Sequence, residues 1–247
     1  MAHDGHGGAG RRFWEKFGSD APTLAGKHVL EIGCGGGRRS IEAAERGAQA
    51  VLGIDISDTA VEGARATLQA TPLAVKERVR FERCKIEDLA DEGFDVVLSE
   101  DTFEHILDPA EALRVIRTKL RKGGYAFIGF APLYHSPYGD HGWIRDALPF
   151  GKLPWSHLLL PERVTFRLLS RRYGKPVRNT LDWQFLALNQ WTADDFLRMY
   201  RDSGMEIVSL ETEKHDRRLV GRVFDALGRA PFLRKYFTAG LYCVLRK

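Results

Sequence analysis

The sequence predicts an α/β fold, a doubly wound sheet of seven mostly parallel strands with helices on both faces. Three observations lead to this prediction. The apolar run His28–Ile32 leads directly into a glycine loop and then into a helical pattern. A second apolar run, Ala50–Asp55, ends on an acid. Short apolar runs then alternate with amphipathic helical patterns as far as Phe130, which is typical of a parallel sheet.

The remaining strands are predicted from alternating or continuous apolar runs. They are Val79–Cys84, Phe94–Ser99, Tyr125–Phe130, Glu206–Leu210 and Gly240–Leu245. The helices are predicted from their start and stop signals. The first helix ends near Arg46–Gly47, and the second runs from a Thr59/Glu62 capping box to Ala70. The third runs from Asp108-Pro109 to Leu120, before the turn at Lys122–Gly124. The fourth runs from a Thr192/Asp195 cap to Gly204, and a basic amphipathic helix spans Leu219–Phe237.

Composition places the chain among ordinary globular proteins. Its 247 residues suffice for one α/β domain and leave little for a second. The net charge of +4 is small and both signs are interspersed, so a DNA-binding face is not indicated. Three distant cysteines without zinc-site spacing are typical of free thiols in a reducing compartment. No signal sequence and no apolar run of about 18 residues is found, so we predict a cytoplasmic protein without a transmembrane segment.

The glycine loop determines the predicted cofactor. A dinucleotide fingerprint requires Gly-x-Gly-x-x-Gly, and Arg38 or Ser40 occupies the position of its third glycine. The pattern present is Glu-x-Gly-x-Gly-x-Gly, at Glu31, Gly33, Gly35 and Gly37. This pattern resembles motif I of the class I S-adenosylmethionine (SAM) dependent methyltransferases. The resemblance implies a Rossmann-like domain whose loop wraps the amino-acid end of SAM, with Glu31 near its ammonium group.

Two alternatives to an active methyltransferase stay open. Arg38 and Arg39 at a helix N-terminus would suit a phosphate, which keeps an NAD-type oxidoreductase under consideration. A non-catalytic module that only binds SAM or a nucleotide is the other alternative.

A second stretch strengthens the resemblance. Phe103–Pro109, with the pattern Phe-Glu-His-Ile-x-Asp-Pro, is similar to the segment after strand four in small-molecule methyltransferases. Adenine-N6 nucleic-acid methylases carry [DN]-P-P-[YF] after that strand, and Ser99–Thr102 does not match it. We therefore expect a small-molecule acceptor and no DNA, with RNA and protein acceptors as the alternatives.

The predicted cofactor is SAM, which leaves as S-adenosylhomocysteine. Asp55 lies 18 residues beyond Gly37, where a carboxylate can accept hydrogen bonds from both ribose hydroxyls. Lys85 replaces the Asp that commonly contacts adenine in the family, so we expect Ile86 to pack on the adenine ring instead. The predicted cofactor-binding residues are Glu31, Gly33, Cys34, Gly35, Gly37, Asp55, Ile56, Ile86, Glu87 and Glu100.

Two segments lie outside the predicted sheet. Residues 1–20 form a Gly/His-rich tail, disordered over Met1–Gly10, and a helix whose Phe13, Trp14 and Phe17 either pack on the domain or cover the cofactor. Residues 21–247 form the methyltransferase domain, with 131–191 as an inserted substrate cap. The cap is rich in rings: Tyr134, His135, Tyr138, His141, Trp143, Trp155, His157, Trp183, Phe185 and Trp191.

The acceptor is predicted to present a hydroxyl oxygen, whose proton a nearby histidine removes. We predict His141 as this base because glycines flank its loop, with Asp140 to orient it and His105 as the second candidate. His135 and His157 are expected to be structural. A metal bound by His135, Asp140 and His141 matches no standard spacing, so we predict none. We keep a homodimer as a candidate assembly.

Overall fold

The computed structural model describes residues 13–20, 22–142, 151, 153–178, 188–213, 215 and 219–247. The predictions for Met1–Gly10, Trp143, Trp183 and Phe185 lie outside the described residues.

One sheet of seven strands organises the molecule. Its strands are β1 His28–Ile32, β2 Ala50–Asp55, β3 Val79–Arg83, β4 Phe94–Glu100, β5 Leu120–Phe130, β6 Glu206–Thr212 and β7 Leu241–Arg246. The spatial order is β3-β2-β1-β4-β5-β7-β6, and only β7 runs antiparallel to its neighbours. The predicted doubly wound, mostly parallel α/β sheet is therefore confirmed.

Helices flank the sheet. They are α1 Arg38–Glu45, α2 Asp58–Gln69, α3 Leu73–Lys76, α4 Pro109–Lys119, α5 Glu162–Tyr173, α6 Ala193–Asp202, α7 Leu219–Leu227 and α8 Arg234–Phe237. Shorter 3₁₀ helices cover Phe13–Asp20, Ile86–Asp88, Phe103–His105 and Ser156–Leu158. None of the helices in the described part of the chain has the length and hydropathy that a membrane crossing requires.

Both faces of the sheet are buried, which explains why the central strands are continuous apolar runs. Along β1, Leu30 belongs to one apolar cluster and Val29 to the other. The first cluster contains Ile116 of α4, and the second contains Phe13, Trp14 and Phe17. The three N-terminal aromatics are at most 4% exposed. They are therefore part of the core, as the packing alternative predicts.

The position of the site follows from the strand order. The chain moves outward from β1 through β2 to β3, and then returns to the other side of β1 at β4. The loops after β1 and β4 consequently leave in opposite directions and open a crevice at the carboxyl ends of these strands. Ligands of open α/β sheets bind in such a crevice.

Two helix boundaries differ from the prediction. The N-cap of α2 is Ser57, whose Oγ accepts a hydrogen bond from the Ala60 amide, so the predicted Thr59/Glu62 capping box is wrong. Helix α4 begins at the predicted N-cap, Asp108, but ends before Leu120. Leu120 pairs with Phe94, and β5 therefore starts there instead of after a glycine turn.

The C-terminal helix also differs from the prediction. The predicted helix Leu219–Phe237 is interrupted, and α7 and α8 are separate. The cap contains the regular helix α5, which packs through Phe166 and Leu169 on Tyr134 in a small apolar cluster of its own.

Candidate active site

The glycine loop is held in place by backbone hydrogen bonds from the strands beneath it. The amides of Gly33 and Cys34 both donate to the Ile54 carbonyl, at 2.8 and 2.9 Å. The Gly37 amide donates to the Cys34 carbonyl and closes the turn at 2.8 Å. The Cys34 side chain is only 5% exposed, and its burial raises the pKa of the thiol. The loop is thus a fixed backbone surface, and its thiol is not a reactive group.

Gly35 lies at the tip of this loop with its backbone turned toward open space. Its φ of +49° falls in the left-handed region, where a side chain is strained. A Cβ built there meets no atom within 4 Å. The position therefore requires glycine for its conformation, and it leaves room for a ligand directly in front of the loop.

Asp55, at the end of β2, links the two loops of the cofactor side. Its Oδ2 accepts from the Gly35 amide at 3.0 Å, and its Oδ1 accepts from the Ser57 amide at 2.9 Å. Each carboxylate oxygen retains a lone pair for a further donor. This geometry suits the predicted role of binding the ribose diol.

Glu31 is buried beneath the loop. Its side chain accepts a hydrogen bond from Ser40 Oγ, and the residue is 3% exposed. Burial raises the pKa of Glu31 to about 8, and the hydrogen bond from Ser40 only partly offsets this effect. The carboxyl group is therefore protonated at neutral pH in the free protein, and a bound ammonium group would favour its ionised form.

Glu100 and Arg39 bind each other across the crevice. Arg39 Nε and Nη2 donate to the two oxygens of Glu100 at 2.5 and 2.9 Å, and Nη1 donates to Glu42. The guanidinium is buried and its charge is compensated, so it is not placed to bind a phosphate. Because Glu100 lies on β4 and Arg39 lies on α1, their ion pair attaches the helix to the strand.

The predicted cofactor-binding residues after β2 and β3 differ in accessibility. Ile86 is 5% exposed and belongs to the core cluster of the sheet, so it has little surface left for a ligand. Ile56, which follows Asp55, is 66% exposed and offers the larger apolar surface. Lys85 and Glu87, the chain neighbours of Ile86, are exposed.

The turn after β4 forms the other wall of the crevice. Thr102 Oγ1 donates to the Glu100 carbonyl at 2.8 Å. Its side chain fills the space beside Gly33, where a Cβ would come within 2.2 Å of Oγ1. The next residues, Phe103–His105, form a 3₁₀ turn that carries Glu104 and His105. The glycine loop and this turn are therefore in contact.

His141 lies on a tight loop after β5. Gly139 is needed there, because a Cβ would come within 2.2 Å of the Leu133 carbonyl oxygen. His141 itself has a φ of +53°, which is uncommon for a residue with a side chain. Its Nε2 lies 3.2 Å from the Pro132 carbonyl oxygen. The loop thus holds one histidine in a constrained conformation at the carboxyl end of the sheet.

The structure brings His105 and His141 together. Their ring centroids are 5.3 Å apart. One ligand atom from each of Glu104, His105 and His141 lies within 4.8 Å of the other two. This set differs from the metal set weighed from the sequence, which combined His141 with His135 and Asp140. Glu104 was not predicted, although it stands in the same motif as His105.

The remaining candidate residues of the cap are His135, His157 and Asp140, and His157 and Asp140 are buried. His157 is 2% exposed, and its Nε2 lies 2.6 Å from the Tyr134 carbonyl oxygen. Burial lowers the pKa of both His157 and His135, the latter also because of Lys235. Asp140 is 4% exposed, and its charge acts on His157 and Tyr134.

Comparison with known proteins agrees with this geometry. The model of a family described as "Methyltransferase domain" matches residues 24–131. The ubiquinone biosynthesis O-methyltransferase of Neisseria meningitidis serogroup A is 31% identical over 176 residues, which cover 68% of this chain and 71% of the relative. The protein of the same name from Nitrosospira multiformis is 38% identical over 171 residues, covering 66% and 68%. The chain belongs to the class I SAM-dependent methyltransferases. Its cofactor is SAM, and it is a methyltransferase rather than an oxidoreductase or a non-catalytic module.

A solved structure supports the fold. The SAM-dependent methyltransferase from Mesorhizobium loti aligns with a TM-score of 0.60 and 20% identity, over 95% of this chain and 97% of that one. The alignment extends well beyond residue 131, where the family model ends. The similarity in fold therefore extends over most of the chain and beyond the segment that the family model matches.

Proposed function

We propose that this methyltransferase transfers the methyl group of SAM to a hydroxyl oxygen of a small-molecule acceptor. The observation that carries the proposal is the cluster of Glu104, His105 and His141, at the carboxyl ends of β4 and β5. It stands beside the turn whose Thr102 contacts the glycine loop. An acceptor seated at this cluster would face the SAM pocket.

The reaction requires alignment and the removal of one proton. The acceptor oxygen attacks the methyl carbon, the carbon–sulfur bond breaks, and its electron pair stays on the sulfur of S-adenosylhomocysteine. Orientation can lower such a barrier by roughly 7–11 kcal/mol. A hydroxyl must also lose its proton, and a positioned acid–base group contributes about 10²–10⁴ in rate. We assign this task to the cluster, with His141 as the proton acceptor and Asp140 as support for its loop.

The relatives support oxygen as the methylated atom. Both carry the name ubiquinone biosynthesis O-methyltransferase. Tyr138, on the same loop as His141, is 56% exposed and offers a ring face for an acceptor with an apolar surface. We therefore propose an aromatic hydroxyl as the acceptor group. A homodimer stays a candidate assembly beside the monomer.

A methyl-transfer assay with labelled SAM tests the proposal. Matched acceptors that differ in one atom should be compared: catechol and phenol against aniline and thiophenol, with RNA and a protein extract as further arms. We expect methylation of a phenolic oxygen, identified by mass spectrometry. Exclusive methylation of nitrogen, sulfur, RNA or protein would overturn the proposal.

Substitution at the cluster tests the site. We expect His141→Ala to lower turnover by about 10²-fold or more, with SAM affinity retained, because no base then removes the proton of the substrate hydroxyl. His28→Ala is the matched control, since this exposed histidine stands at the start of β1, at the opposite end of the sheet. Turnover of His141→Ala near that of the control would remove His141 from the mechanism.

A further inference from the structure

Helix α5 of the cap and the turn after it carry a high density of positive charge. The segment 163–178 contains no acidic residue and six cations, which are Arg163, Arg167, Arg171, Arg172, Lys175 and Arg178. The whole chain has a net charge of only +4, so the residues outside this basic segment carry a net charge of −2. The excess of positive charge is therefore local to one part of the cap.

The cations of the basic segment are exposed and not neutralised by neighbours. All six residues are exposed, and none of them forms a salt bridge with a carboxylate in the part of the chain that the structure describes. The nearest acid along the chain, Glu162, accepts a hydrogen bond from Gln190 at 2.6 Å. Like charges held close together repel each other, and a partner of opposite charge relieves this repulsion.

The basic segment has a firm support on its inner side. Phe166 and Leu169 of α5 pack on Tyr134 in the apolar cluster of the cap. The Val177 amide donates to Ser170 Oγ at 2.8 Å, which ties the turn after α5 back to the helix. The helix therefore presents its outer side chains from a fixed backbone.

The outer face of α5 carries a row of arginines with helical spacing. Arg163, Arg167 and Arg171 follow one another at intervals of four residues, so they lie along one stripe of the helix. A rise of about 1.5 Å per residue separates successive members of this arginine row by about 6 Å along the axis. Acidic residues at every fourth position of another α-helix repeat with the same interval. The row therefore matches an acidic helix.

The neighbours of the arginine row favour a protein partner over a nucleic acid. Arginine binds both carboxylates and phosphates through paired hydrogen bonds, so the charge alone does not decide. Val164 is 38% exposed and Leu159 is 59% exposed, and apolar residues combined with arginines are typical of protein interfaces. Single-stranded nucleic acids are bound by exposed rings on which bases stack. The two rings of α5, Phe166 and Tyr173, belong to the apolar cluster on its inner side.

We propose that the outer face of α5 is the docking surface for an acidic helix of a partner protein. The arginine row pairs with carboxylates that stand four residues apart, and Val164 and Leu159 contact apolar side chains beside them. Tyr134, on which α5 packs, lies two residues after Pro132, whose carbonyl oxygen contacts His141. The partner therefore binds the cap next to the acceptor side of the crevice. The inference does not depend on which atom is methylated.

Two synthetic helical peptides and the full chain test this surface. The acidic peptide carries Glu at every fourth position with Leu beside it, and the matched peptide carries Lys in place of each Glu. By fluorescence anisotropy, we expect the acidic peptide to bind at least about 10-fold more tightly than the Lys peptide. Added salt should weaken this binding, because it screens exposed charges. Saturation with the acidic peptide should leave SAM affinity unchanged.

Substitutions locate the binding on α5. Replacing the three arginines of the row by Gln together should weaken binding of the acidic peptide at least about 10-fold. A control that removes the same charge from exposed positions elsewhere should bind it normally, and it combines Lys122→Gln, Arg201→Gln and Arg222→Gln. Arg167→Glu should weaken binding of the acidic peptide and strengthen binding of the Lys peptide. This charge reversal decides the question if the triple variant does not fold.

Three outcomes would overturn the inference. The first is that the acidic peptide does not bind at low salt, and the second is that the arginine-row variant and the control bind it equally. The third is tighter binding of a single-stranded RNA or of phosphatidylglycerol vesicles that depends on the arginine row, which would make the face a nucleic-acid or lipid surface. The methyl-transfer assay judges the proposed function separately, since it uses neither peptide.

Discussion

The two walls of the crevice differ in how their polar groups are satisfied. On the cofactor side, after β1 and β2, Asp55 accepts from two backbone amides and Glu31 accepts from Ser40. On the acceptor side, after β4 and β5, both oxygens of Glu104 lack a hydrogen-bond partner among the described residues. The hydroxyl of Tyr200, a fully buried residue of α6, also lacks a hydrogen-bond partner among the described residues.

This difference indicates how each wall works. The cofactor side is organised by its own hydrogen bonds, so we expect SAM to meet a preformed surface and to add little ordering cost on binding. The acceptor side contains groups that cost folding free energy and gain partners only from a ligand. Substitutions on the first wall should therefore change SAM affinity or stability. Substitutions on the second wall should change turnover with SAM affinity retained.

The largest effect is expected at Gly35. Gly35→Val places a branched side chain in the space before the loop and at a φ that disfavours it, so SAM affinity should fall more than about 10³-fold. Because a Cβ there meets no protein atom, the melting temperature should fall far less than SAM binding. Calorimetric titration with SAM measures the first quantity and thermal unfolding the second.

Gly36→Val is the matched control for this experiment. Gly36 is the next residue of the same loop, is exposed, and does not adopt a positive φ. It should keep most of its SAM affinity. If Gly35→Val unfolds while its folded fraction binds SAM normally, the loop tip is structural and the comparison of the two walls fails there.

Glu31 should make stability depend on pH. Its pKa is raised to about 8 by burial, whereas an unfolded Glu ionises near the ordinary value of 4.5. The folded state binds the extra proton between these values, so stability decreases as pH rises through this window. The loss should be about 2–3 kcal/mol between pH 5 and 7. Glu31→Gln should remove most of this slope in urea unfolding.

Glu45→Gln, on the exposed side of α1, is the control and should leave the slope in place. An equal slope in wild type and Glu31→Gln would show that Glu31 is ionised in the folded protein. In that case burial on the cofactor side would be fully compensated by the contacts of the loop.

Asp55→Ala should weaken SAM binding by about 1.5–3 kcal/mol, because the charged hydrogen bonds to the ribose are lost. The amides of Gly35 and Ser57 also lose their acceptor, so the loop should become less ordered. Turnover at saturating SAM should change much less than affinity. Asp58→Ala, an exposed acid at the start of α2, should leave SAM affinity unchanged. Unchanged affinity in folded Asp55→Ala would remove Asp55 from the cofactor site.

The sequence predicted one wall better than the other for a physical reason. The loop Glu31–Gly37 and Asp55 are short, local patterns, and the backbone that they require follows from residue type alone. The acceptor cluster combines Glu104 and His105 after β4 with His141 after β5, and only the strand order brings them together. Sequence spacing therefore selected His141 and His105 and missed Glu104.

The errors in the fold have a similar origin. Ser57 and Thr59 are both good N-caps, and the choice between them depends on where β2 ends at Asp55. Leu120 was assigned to a helix by its apolar spacing, but the pairing with Phe94 places it in β5. At Leu120 a tertiary contact decided between two locally acceptable conformations.

The smallest effect is expected at Asn189, which attaches the end of the cap to the acceptor wall. Its Nδ2 donates to the Phe103 and Ile106 carbonyls at 2.8 Å each, and these bonds hold the turn that carries Glu104. Asn189→Ala leaves both carbonyls without this donor, which should cost about 1–3 kcal/mol of stability. Because the turn loosens, turnover should fall by up to about 10-fold, with SAM affinity unchanged. Gln190→Ala, which removes an exposed hydrogen bond to Glu162, should affect neither. A parallel loss of SAM affinity in Asn189→Ala would mean that the two walls are one cooperative unit.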